Sequence, residues 1–372
     1  MGKKNRRPPA AEPPEDAPLD EPAASEPDAS DRVMTQFARN LATGNRKTRA
    51  QALGALEKWL QGRGEGASEL ELRKLWRGIF FCVWMVDKAP VQLEVSRTIA
   101  RLVHCFEAPA HAARWLRCWG STLRGEWGKL DKHRIDKYYT LIRQVVVEAV
   151  NYARARAWAA DACGALVGAL DAELVRQLPN GPRLHLADVL LEALGVAGAD
   201  GADEADEDGE DDGGGGAEPG PSAAVLALWL EPFVAQLART GDAPVVRRVL
   251  ERLVHPLLAQ CRRGREDPAA AAAWHGELLA WLAARVFAIA AAPATPDANR
   301  EALYATVKQC QKMGCDVSAA GPSGAAPAPA KTAPAKPAGK AKRSLVEDEE
   351  EPPASERPRK TKKGAAQKRR RK

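Results

Sequence analysis

His104, Cys105, His111 and Cys118 fall within fifteen residues, a grouping of side chains that invites metal chemistry. Zinc is held by Cys and His at characteristic short spacings. These spacings match no finger pattern, and Pro109 places the two pairs on different helices. Cys310 and Cys315 are five apart, near one another on a helix but not stacked. The seven cysteines are odd in number and include no CxxC. Several sit in apolar helical runs, where a free thiol packs as a small hydrophobe. That usage fits a reducing compartment rather than a disulfide framework. The chain has no GxxxxGK[ST], no HExxH, no GxSxG, and no GxGxxG at a strand–helix junction. The sequence therefore predicts no catalytic residue, no cofactor, no metal and no small-molecule substrate: the protein is read as a non-enzyme.

What remains is the chemistry of charge. The net charge of +6 conceals segregation. Residues 1–31 carry four bases and eight acids, whereas residues 32–160 carry 23 bases and 11 acids. A folded segment with that excess suits a polyanionic partner, or it is simply a solvated basic surface. Residues 357–372 hold ten bases and no acid: Arg357, Arg359, Lys360, Lys362, Lys363, Lys368, Arg369, Arg370, Arg371 and Lys372. Two such clusters read as a nuclear-import signal for an import receptor, and they can also bind RNA by counterion release.

These charges need elements to position them. Residues 1–31 are rich in Pro, Ala and Glu and are expected to be a disordered tail. Helical periodicity then predicts helices over 32–43, 46–61, 68–87, 91–106, 109–126, 132–158, 161–177 and 183–195. Gly62 and Gly64 end one helix, Pro90 stops another, and Pro179-Asn180-Gly181-Pro182 is a turn cluster. Residues 198–221 read as a linker, with nine acids between Asp200 and Asp212 followed by Gly213–Gly216. Further helices are expected over 222–239, 243–263, 268–291 and 297–313, and a disordered tail from 317. Two helical segments, 32–197 and 222–316, are thus predicted. No strand and no strict repeat is visible. Helices joined by short turns imply an all-α fold of stacked antiparallel helices, an α-solenoid of the HEAT or armadillo kind. The N-terminus lacks an apolar segment of the secretory type, and no run of 18 uncharged apolar residues occurs, so an intracellular, soluble protein without a membrane partner is expected.

In the run 72–106, Leu72, Leu75, Ile79, Val83 and Val86 share a helical face, with Trp76, Phe80 and Trp84 widening it. A helix this apolar is expected to be covered on most sides. In the second run, Ile135, Tyr138, Ile142, Val145, Ala149 and Tyr152 form a seam. Residues 75–92, LWRGIFFCVWMVDKAPVQ, and 126–143, EWGKLDKHRIDKYYTLIR, resemble the two signatures of the ribosomal-RNA-processing-protein-one (Nop-fifty-two) family. The matching positions are Leu75, Trp76, Arg77, Gly78, Trp84, Met85, Asp87, Lys88 and Gln92, then Trp127, Asp131, Arg134, Asp136, Lys137, Tyr138, Leu141 and Arg143. Ala89 intrudes before Pro90, a departure from the pattern. Phe37, Ala38, Leu41 and Arg49 fit its N-terminal start.

The resemblance covers about a third of the chain, residues 34–158. It implies a non-catalytic nucleolar ribosome-biogenesis factor of the nucleus. Such a factor supports rRNA processing and large-subunit pre-ribosome assembly, with pre-ribosomal RNA, assembly factors and ribosomal proteins as partners. Trp76, Trp84, Asp87, Trp127, Asp131, Asp136 and Tyr138 read as structural signature residues, the tryptophans through burial of area. Arg77, Lys88, Arg134, Lys137 and Arg143 either contact RNA phosphate or pair with Asp87, Asp131 or Asp136 to fix helix packing. The competing reading is a nuclear helical-repeat adaptor, for transport or chromatin, that binds protein without recognising RNA.

Overall fold

Helix ends are set locally. Asn45 caps α2 (Arg46–Arg63) by accepting the Thr48 amide at 3.1 Å. Ser68 and Glu71 form a capping box at the start of α3 (Glu69–Trp84), satisfying amides that no helical carbonyl reaches. Pro90 and Pro109 sit in the first turns of α4 (Ala89–Arg101) and α5 (Pro109–Glu126), where a missing N–H costs nothing. Preceded by α1 (Ala29–Leu41) and followed by α6 (Ile135–Arg154), α7 (Ala160–Leu170) and α8 (Asn180–Ala193), they form the first part of the chain. After it come α9 (Ala223–Gln236), α10 (Ala243–Val249), α11 (His255–Glu266), α12 (His275–Ala291) and α13 (Asp297–Lys312). Single π turns, Asp171–Val175 after α7 and Leu250–Val254 between α10 and α11, prolong those helices without breaking them. The computed structural model describes residues 29–196 and 220–315. The acidic runs and the basic tail, with Arg357 to Lys372, lie outside the described residues.

The architecture is an all-α solenoid. One layer stacks α1, α3, α5, α7, α9 and α12 in order; the other carries α4, α6, α8 and α10, with α2 before them and α11 and α13 after. α9 packs directly on α7, and α10 on α8, so one hydrophobic core continues from Leu41 to Met313. Bonds between successive pairs join residues 46 apart (Tyr152–Phe106), 49 apart (Arg143–Glu192), 54 apart (Arg285–Glu231) and 62 apart (Asn299–Leu237). These separations are unequal, in keeping with a stack that has no fixed sequence period.

One predicted helix begins late. Pro268–Ala270 forms a 3₁₀ turn, and α12 starts only at His275. Asp267 accepts the Ala269 amide at 2.9 Å, and His275 Nδ1 accepts that of Ala272 at 3.1 Å. Side chains thus take amide protons that helix propensity alone would assign to carbonyls.

Candidate functional site

The two sequence motifs fold onto each other, and the interlock is built from backbone carbonyls. The last turn of α3 leaves carbonyls without helical partners. Lys137, on the first turn of α6, reaches them. Its ammonium donates to the Trp84 carbonyl at 2.7 Å and the Val86 carbonyl at 2.8 Å, and lies 3.6 Å from the Asp87 carboxylate. Gln92 Nε2 donates to the same Val86 carbonyl and to Asp87 O, each at 3.1 Å. One residue on, the Tyr138 hydroxyl donates to Phe80 O at 2.9 Å, and the two rings stack with centroids 4.5 Å apart. Burial pushes the Lys137 ammonium below its usual value, with Asp87 acting in the other direction. It pushes the Tyr138 phenol up.

The rest of the first motif is held by α5 and α1. Trp76 is fully buried; its Nε1–H donates to Trp115 O at 3.1 Å, and its ring lies 4.5 Å from that of Trp115. Gly78 permits α1 to approach, because a Cβ there would stand 2.8 Å from the Ala38 Cα. Trp127 is buried beside Tyr139, its ring centroid 5.6 Å away, and Gly181 leaves room for its edge. Trp84 is half-buried, and the Arg134 guanidinium covers one face of its ring at 4.4 Å. Asp131 accepts the His133 amide at 2.9 Å and pairs with Arg134. Asp136, in the first turn of α6, faces solvent where the helix dipole favours a carboxylate.

The five candidate cations are therefore not equivalent. Lys137 is 4% exposed and spent on α3. Arg134 and Lys137 take the packing partners weighed from sequence, Asp131 and Asp87. Arg77 lies 3.9 Å from Glu126 and Arg143 pairs with Glu192, carboxylates that local spacing does not reveal. Lys88 is exposed at the start of α4. Lys88 and Arg134 lie around the C-terminal end of α3, Arg77 lies at its middle, and Arg143 sits on the α6–α8 seam.

The nucleophilic and metal-ligating types are occupied elsewhere. Burial pushes the Cys82 thiol up to about 12 and those of Cys105, Cys118 and Cys261 to about 11, far from the thiolate that nucleophilic chemistry requires. His104 Nε2 lies 2.8 Å from Glu148, and His111 faces Glu65 at 3.4 Å. Among the described residues, no group of three His, Cys, Asp or Glu side chains is placed to hold a metal ion.

The model of the family described as the nucleolar protein Nop52 matches residues 32–277, which contain both motifs and every helix from α2 to α11. The chain belongs to this family. It is 30% identical over 239 residues to the mouse (Mus musculus) "Ribosomal RNA processing protein 1 homolog A", covering 62% of this chain and 44% of that protein. The human (Homo sapiens) protein of the same description is 29% identical over 239 residues, covering 62% and 48%. The Drosophila melanogaster "Ribosomal RNA processing protein 1 homolog" is 25% identical over 262 residues, covering 68% and 35%. The chain thus spans about half or less of the length of these relatives. The family's extent also shows that the interlock of α3 and α6 lies inside the shared region, whereas α13 lies beyond it.

Sequence reading passed over the outer side of α3. Phe81 and Met85 are 39% and 46% exposed, so one side of this helix stays open. A signal was present: Phe81 lies about 200° around the helix from Ile79 and its core-facing neighbours.

Proposed function

We propose that the protein is a non-catalytic nucleolar scaffold that supports processing of ribosomal RNA, acting on large-subunit pre-ribosomal particles in the nucleus. The observation that carries this reading is the family match across residues 32–277, together with relatives described as ribosomal RNA processing proteins. The geometry supports a scaffold: buried thiols are held in the unreactive form, and the motif residues tie helices together. The partners on this reading are pre-ribosomal RNA, assembly factors and ribosomal proteins, and the basic tail engages an import receptor. Phosphate contact falls to the accessible cations Arg77, Lys88, Arg134 and Arg143, and to the ten bases of residues 357–372.

Depletion of the protein, followed by measurement of pre-rRNA species, tests the reading. Accumulation of large-subunit precursors is expected; unchanged precursor levels overturn it. In-cell RNA crosslinking with sequencing then separates body from tail. A full-length variant with the ten tail bases replaced by Ala and a heterologous import signal added is compared with the unmodified protein. Discrete crosslinks on large-subunit pre-rRNA that survive the replacement assign recognition to the helical body. Their loss favours the adaptor reading for the body, with RNA contact confined to the tail.

A further inference from the structure

We propose that the outer face of α3 is a docking strip for an acidic amphipathic helix of a partner protein. This names one kind of partner for the scaffold proposed above, and rests on that reading. Leu70, Phe81 and Met85 are 62%, 39% and 46% exposed. They account for half of the large exposed hydrophobic residues among the described residues. Leu70 and Phe81 are eleven residues apart and Met85 four further on, so all three fall on the side of α3 opposite the buried Leu75, Ile79 and Val83. The strip runs for about 23 Å at 1.5 Å per residue, or four helical turns. α1, α5 and α4 pack on α3, and the described residues leave this side exposed. Lys74 and Arg77 stand on the same face between Leu70 and the Phe81–Met85 pair, so an amphipathic helix would meet apolar contacts at the two ends of the strip and cations between them.

Charge sets the partner's chemistry. Arg77, 66% exposed, stands between Leu70 and Phe81. Its carboxylate neighbour Glu126 is closer to Lys129, at 2.6 Å against 3.9 Å. Lys88 is exposed just beyond Met85. Carboxylates on the flank of an incoming helix would meet these two cations at the edge of the apolar strip, the arrangement that fixes register in protein interfaces. RNA fits the strip less well. Arg134 already lies on one face of the Trp84 ring, 4.4 Å from its centroid, where a base would stack, and it is paired with Asp131.

The test places a photo-crosslinking phenylalanine analogue, p-benzoyl-phenylalanine, at position 81 or 85 of the full-length protein in cells. Position 304, the exposed Tyr304 of α13, serves as the control. Crosslinked peptides are sequenced by mass spectrometry. Expected are crosslinks from 81 and 85, not from 304, to one Asp/Glu-rich segment of another protein with aliphatic residues at helical spacing. Arg77→Glu should reduce their yield severalfold. Crosslinks from 81 and 85 to RNA, to this chain's own residues 345–351, to a second copy or to a segment without acids overturn the proposal. So does a yield no higher than at 304. Pre-rRNA levels after depletion report on the scaffold reading alone, so the two ideas fail separately.

Discussion

The helices before and after the α6–α7 corner are joined by different physics. From α1 to α6, buried polar side chains reach across to named carbonyls: Trp76 to Trp115, Tyr138 to Phe80, Tyr152 to Phe106 at 3.0 Å, and Lys137 to Trp84 and Val86. From α7 to α13 such bonds gather at α13, where buried Asn299 donates to Leu237 O at 3.0 Å and Thr240 O at 2.8 Å, and the ties among the helices before it rest more on volume and ion pairs. Arg285 grips Glu231 through two nitrogens, at 3.0 and 2.6 Å, and Arg248 meets Asp188 at 2.5 Å. The indole N–H of Trp281 is buried with no partner among the described residues, as is that of Trp119 in α5. Directed hydrogen bonds to buried carbonyls fix both residue type and helix register, because an orphaned carbonyl is costly. Apolar packing accepts any side chain of similar volume.

The strongest way to break this comparison is at Trp76. Trp76→Ala removes a fully buried indole and should cost about 3–5 kcal/mol. Trp76→Phe isolates the hydrogen bond by keeping an aromatic ring, and Trp281→Phe is its counterpart in the later helices. Urea denaturation followed by helical circular dichroism should show the larger loss at Trp76, because Trp76→Phe deletes a buried hydrogen bond whereas the Trp281 indole N–H has none to lose. Equal losses would mean that indole volume alone stabilises both halves.

Lys137→Met comes next. It preserves the buried stem but leaves the carbonyls of Trp84 and Val86 with fewer donors, at a cost of roughly 1–3 kcal/mol. Asp87→Asn should change little, since Asp87 is 93% exposed and pairs of that kind contribute about 1 kcal/mol or less. A larger effect at Asp87 than at Lys137 would make the ion pair, not the carbonyl capture, the lock between the motifs.

The same physics explains what the sequence disclosed. Helix extents were legible from periodicity and from punctuation by Pro90, Pro109 and Gly64, and the solenoid class from helix lengths and short turns. The family was legible only where Trp, Tyr and Lys make directed bonds, because those types cannot be exchanged. After α6, the Leu-, Ala- and Val-rich helices offer no short motif, although the family match runs on to residue 277. Partner choice was illegible for Arg77 and Arg143, whose carboxylates lie 49 residues away in sequence. The exposure of Phe81 was legible in principle from its helical angle, but the apolar richness of the whole α3 run masked it.

Acidification should separate the halves in order. Burial holds His185 of α8 below its usual 6.5, with the Tyr139 carbonyl opposing, and burial likewise lowers His275 of α12. Between the lowered values and 6.5 the unfolded chain binds more protons, so stability falls as pH drops through that window. Glu148 of α6 is a different case. Burial raises it, but His104, Asn151 and Arg101 outweigh burial and hold it below 4.5. Its contribution is present above 4.5 and lost only as pH falls below that value. Hydrogen exchange, corrected for intrinsic rates, should show α8 and α12 losing protection as pH falls below 6.5, while α4 and α6 hold until pH falls below 4.5. His185→Gln should flatten the first loss. Simultaneous opening of both sets would mean that the stack melts as one unit and that local titration does not divide it.

The smallest expected effect lies where the two halves meet. Arg143 of α6 pairs with Glu192 of α8, both side chains well exposed at 39% and 53%, so Arg143→Gln should cost under about 1 kcal/mol. That near-neutrality makes it a clean probe of RNA contact. If Arg143 touches phosphate in the particle, the variant keeps its denaturation midpoint while the salt slope of pre-rRNA binding falls by about one. If the slope is unchanged, Arg143 acts only as a rung between the halves, and phosphate contact on the body narrows to Arg77, Lys88 and Arg134 on and beside α3.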